Sequence, residues 1–113
     1  MNFNVLTIFP EIFDVFKSGV ISKARTNNNF SLNCLNIRDH AINKHGQIDA
    51  KPYGGGEGMV MMAEPLKKSL DDIPKEELGH VIYLSPQGSK LNQSKVIALS
   101  KMKSLTLICG RYE

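Results

Sequence analysis

Three consecutive segments late in the sequence restrict the fold more than any other feature. Residues 80–84 form a short β-branched and aromatic run, residues 92–102 place Val96, Ile97 and Leu99 on one side of a helix, and residues 105–109 form a second apolar run. A strand, helix, strand order of this length predicts two parallel strands joined by a right-handed crossover. Ligands of open parallel sheets bind beyond the carboxyl ends of the strands, so residues 85–88 and 110–113 are expected at one edge.

The rest of the chain fits the same α/β pattern. Residues 3–9 predict a strand, and Pro10 opens a helix carrying Ile12, Phe13 and Phe16. Gly19 ends that helix, residues 20–25 give a second short one, and the Asn run at 27–29 is a turn. Leu32, Cys34, Leu35 and Ile37 predict the next strand. Residues 38–58 are polar and glycine-rich and read as a long loop with one helical turn, a feature usually tied to function. Residues 64–70 predict a short helix, and residues 71–79 read as a polar, mobile connection.

At 113 residues the chain suits one compact core and is too short for two. With 14 Lys and Arg against 11 Asp and Glu, the net charge of +3 tolerates a polyanion without demanding one. The first residues lack a basic lead, and no apolar run approaches a bilayer's thickness, so a soluble, cytoplasmic protein without a membrane association is expected. Cys34 and Cys109 each sit inside a strand-like run without a second ligand at metal spacing, and both are read as buried free thiols. His40, His45 and His80 are too dispersed for a metal site, and no metal ligand is assigned.

Three segments carry candidate chemistry. Tyr53-Gly54-Gly55-Gly56-Glu57-Gly58-Met59 frees the backbone for close approach, but it matches neither phosphate-binding spacing and reads as a flexible loop ahead of a binding loop. Tyr83-Leu84-Ser85-Pro86-Gln87-Gly88 predicts a strand exit into a type I turn, where a flat apolar group has Leu84 and Pro86 to lie against. Cys109-Gly110-Arg111-Tyr112-Glu113 sets a glycine, a cation, an aromatic ring and a carboxylate at the end of a strand. On the same sheet edge it supplies a wall for a base and an acceptor for a guanine N–H, although either of the last two segments alone is also an ordinary strand exit. The polar stretch of Arg38, Asp39, Lys44, His45 and Asp49 reads as loop solvation before RNA contact, and Met59, Met61 and Met62 read as packing.

In series, with Phe9-Pro10 near the start, these three segments resemble the bacterial tRNA (guanine-N1)-methyltransferase family along the whole chain. The resemblance implies an α/β fold of the SPOUT class, with a mostly parallel sheet, flanking helices and a deep C-terminal trefoil knot that holds S-adenosylmethionine in a bent form. It implies a homodimer that methylates N1 of guanosine 37 in tRNA, with magnesium assisting. By resemblance Tyr83, Leu84, Ser85, Pro86, Gln87, Gly88, Gly110 and Tyr112 line the cofactor pocket. Glu113, Asp49, Tyr53 and Gly58 approach the target guanine. Ala50 and Lys51 stand where the family would have an acidic residue and an Arg before Pro52.

The family's general base, an Asp, and its accompanying Arg fall beyond residue 113. No catalytic residue is therefore expected within the chain. Residues 1–113 are read as the N-terminal part of the cofactor-binding domain, lacking the segment that closes the knot and the C-terminal tRNA-binding domain, and inactive alone. The competing expectation is a non-catalytic dimerising or nucleotide-binding α/β module.

Overall fold

The computed structural model describes residues 1–41, 43–44, 46–50 and 60–110. Its main sheet has four strands, β1 (Asn2–Thr7), β2 (Ser31–Asn36), β5 (His80–Leu84) and β6 (Ser104–Cys109), in the order β2-β1-β6-β5. Every pairing in it is parallel. The first strand is thus central, flanked by the second and by the last, and all four strands deliver their carboxyl ends to one edge.

Alternation along the strands divides the sheet into two faces. On one, Leu6 and Ile108 pack with Ile8, Ile37, Ile48 and Ile73 in a buried cluster, covered by Leu66 and Leu70 of α2 (Ala63–Asp71) and Leu78 of α3 (Lys75–Leu78). Burying each such side chain contributes roughly 1.5–3 kcal/mol, so this face carries most of the apolar stabilisation. The other face, with Phe3, Leu105 and Leu107, meets α4 (Gln93–Ser100) across an open groove. It also carries Leu32 and Cys34 near the chain that leads into α1 (Gly19–Thr26).

Residues Pro10–Lys17 are a 3-10 helix. In that geometry side chains three apart eclipse, and Phe13 and Phe16 stack with centroids 6.0 Å apart. The turn at 27–29 is observed, with Asn28 in the left-handed region at φ 62°. Ile37 leaves the strand, where it was expected, to start the 3-10 turn Ile37–His40, and its side chain is fully buried. Within the expected loop, β3 (Asp49–Ala50) and β4 (Val60–Met61) pair antiparallel.

The segment 71–79, expected to be a mobile connection, is ordered. Ile73 is buried in the core, and Pro74 starts α3. Asn4 Nδ2 donates to the Glu77 carbonyl at 2.9 Å and to Thr106 Oγ1 at 3.2 Å, while Thr106 Oγ1 donates to the Leu78 carbonyl at 2.6 Å. These bonds satisfy backbone carbonyls at the end of α3 that would otherwise lack partners. Gly79 then turns at φ 61° and ψ −148°, and a Cβ there would lie 2.1 Å from the Ser104 carbonyl oxygen. Only glycine lets the chain pass this close to β6 and begin β5 in register.

Candidate functional site at the carboxyl edge of the sheet

The register fixes the site. Leu84 pairs with Cys109, so residue 85 and residue 110 leave adjacent parallel strands side by side. After Leu84 the chain bends, with the Gly88 amide donating to the Ser85 carbonyl at 3.0 Å and the Gln87 amide to Ser85 Oγ at 3.2 Å. The first of these bonds closes the expected four-residue turn with Pro86 second and Gly88 fourth.

Gly110 lies close to the end of β5. A Cβ built on it would lie 2.8 Å from Tyr83 Oη and 3.2–3.3 Å from two ring carbons. The missing side chain is what lets the Tyr83 ring lie across the exit of β6. Tyr83 and Leu84 remain 46% and 52% exposed, so an aromatic and an aliphatic surface stand open at the strand ends. The groove beside α4, about 800 Å³, runs up to this point and is lined by Tyr83, Leu84, Ser85 and Gly88.

Two parallel strand ends, a proline turn and a glycine kept bare beneath a tyrosine ring repeat the order of the sequence motifs. A family model for tRNA (Guanine-1)-methyltransferase TrmD matches residues 1–113. The chain belongs to this family. Among curated relatives, the tRNA (guanine-N(1)-)-methyltransferase of Finegoldia magna is 49% identical over all of this chain and 48% of its own length. That of Clostridium perfringens strain 13 is 43% identical, again over all of this chain and 48% of its own. The chain thus spans about half the length of the curated relatives it matches. The crystal structure of tRNA (m1G37) methyltransferase from Aquifex aeolicus superposes with a TM-score of 0.87 at 36% identity, covering 100% of this chain and 52% of that one. The α/β fold with a parallel sheet is therefore the family's.

Of the residues singled out in the sequence, Tyr83, Leu84, Ser85, Pro86, Gln87, Gly88 and Gly110 come together at the edge. Asp49 lies in β3, next to Ile48, which is buried in the core, and its carbonyl accepts from Gln47 Nε2 at 3.1 Å. The β3–β4 pair is held further by the Met62 amide donating to the Ile48 carbonyl at 2.6 Å. Tyr53, Gly58, Tyr112 and Glu113 lie outside the described residues, as do His45 and Arg111.

The cysteines are only half-buried, because the face they share is the one the helices cover incompletely. Burial pushes the Cys34 thiol up, with Arg25 pulling the other way, and burial also raises Cys109, Cys34 adding to it. Neither environment favours a nucleophilic thiolate. Groove residues not singled out in the sequence include Ser89, Leu91 and Lys95. The sequence carried no signal for them, because the half-burial of Lys95 beside exposed Val96 and Ile97 arises only on folding.

Proposed function

We propose that this chain is the cofactor-binding half of an enzyme that transfers a methyl group from S-adenosylmethionine to N1 of guanosine 37 in tRNA. The observation that carries the reading is the adjacency of the 85–88 turn and Gly110 at the carboxyl edge of β5 and β6. The residues there fit an adenosine group: Leu84 and Pro86 give a flat apolar wall, the turn gives backbone polar groups, and a Cβ at Gly110 would crowd the space beside Tyr83.

In this reading Tyr83, Leu84, Ser85, Pro86, Gln87, Gly88, Gly110 and Tyr112 hold the cofactor, whose sulfonium supplies an activated methyl group. The chain's own contribution is orientation. Glu113 faces the target guanine and accepts a hydrogen bond from its edge, and Asp49 with the Tyr53 to Gly58 loop approaches the site near the dimer interface. Guanine N1 must lose its proton as its bond to the methyl carbon forms, and the base that takes it belongs to the part of the relatives that this chain does not span. Residues 1–113 are then the N-terminal part of the cofactor domain, short of the segment that closes the knot. The complete enzyme is a cytoplasmic homodimer, assisted by magnesium.

Calorimetric titration of the chain with S-adenosylhomocysteine, S-adenosylmethionine and ATP tests this. Binding of the first two ahead of ATP is expected, together with no methyl transfer to a G37 tRNA transcript. A preference for ATP, the mark of a phosphate-holding module, refutes the assignment.

A further inference from the structure

We propose that Lys95 is a positioning residue that clamps the segment after the 85–88 turn and so holds the wall of the cofactor cleft; the proposal rests on the function just stated. Lys95 Nζ donates to Ser89 Oγ and, at 3.0 Å, to the Lys90 carbonyl. Among the described residues these are the hydrogen bonds that tie residues 89 and 90 to the body of the fold.

Three features set this lysine apart. Its place is the third residue of α4, after the Asn92 cap whose side chain accepts from the Lys95 amide at 2.9 Å. A cation in a helix's first turn opposes the helix dipole, so helix stability does not account for it. Burial is also inverted around it. Gln93, Ser94, Val96 and Ile97 are exposed, whereas Lys95, of a type that usually extends into water, is half-buried. Finally, it is the one Lys or Arg among the described residues lining the 800 Å³ groove, which is otherwise mostly apolar and which Ser85, Gly88 and Ser89 also line.

Eight residues separate Leu84 from the first residue of α4, enough for the turn to shift if its far end were loose. The two bonds from Nζ shorten that free length to the turn itself. A ligand resting on the turn then meets a wall already in place, without the cost of ordering it.

Hydrogen exchange and calorimetry on the 113-residue chain test the proposal with Lys95→Met, which keeps the stem, and Lys95→Arg, which keeps donors. In Lys95→Met, exchange at the Gln87 and Gly88 amides should rise about tenfold while β6 amides and the melting temperature stay as they are. Affinity for S-adenosylhomocysteine should fall about fivefold, and Lys95→Arg should restore most of both. Unchanged exchange in Lys95→Met overturns the clamp. Faster exchange with unchanged affinity overturns its role in the cleft. If the unaltered chain shows the clamp by exchange yet binds no S-adenosylhomocysteine, the cofactor reading itself fails and the positioning role falls with it.

Discussion

At the scale of single residues, two positions bear more than their size suggests. Gly79 holds a backbone conformation open in practice to glycine alone, and a methyl group there would strike the carbonyl of Ser104. Gly79→Ala should cost on the order of 3 kcal/mol, the sum of conformational strain and overpacking, read as a lower urea midpoint. Asn4 is 3% exposed and serves both the Glu77 carbonyl and Thr106. Asn4→Ala strands that carbonyl, and urea titration should show a loss of about 1–3 kcal/mol. Neither requirement was legible in the sequence. Each depends on an atom brought near by folding, and Gly79 looked like a residue of any loop. Gly88 was legible, because proline and glycine at a strand exit announce a turn locally.

At the scale of elements, the four strands of the main sheet were read well because each carries a short set of apolar residues bounded by turn residues. The helix α4 was equally plain from Val96, Ile97 and Leu99, which fall on one side of it. The missed helix α3 has just four residues with Glu76 and Glu77 in its turn, so apolar periodicity was too brief to register. Pro74 followed by acidic residues was the available sign. The two-residue strands β3 and β4 depend on each other across a segment rich in glycine, which local pattern cannot convey. Strands β2 and β6 carry the two thiols, and both are raised in the folded chain, chiefly by burial. Folding therefore holds their protons beyond the pH at which the unfolded chain gives them up. The associated stability is complete below the ordinary thiol range, about 8.5, and is lost as pH rises through the higher folded values. The urea midpoint should accordingly fall more between neutral and strongly alkaline pH in the wild-type chain than in a Cys34→Ala, Cys109→Ala double variant. A parallel fall in the two proteins would contradict this.

At the scale of the whole molecule, one face is closed and the other is not. The radius of gyration is 15.5 Å, against about 13 Å for a closed domain of this length. Val81, Tyr83 and Leu84 on β5, Leu91, and Val96 and Ile97 on α4 are all more than a third exposed. So much exposed apolar surface should bind a hydrophobic dye such as ANS under native conditions. Fluorescence enhancement is expected without denaturant, and Val96→Lys with Ile97→Lys should reduce it severalfold while leaving far-ultraviolet circular dichroism unchanged.

The placement of β1 between β2 and β6 also has a bearing on how the molecule is made. Its second neighbour is the last strand, and Asn4 reaches across 102 positions to Thr106. During vectorial synthesis the central strand emerges first and stays paired on one side only until residues 104–109 follow it. The nascent polypeptide therefore carries a bare strand edge while some hundred residues are added, the interval in which a chaperone would find something to hold.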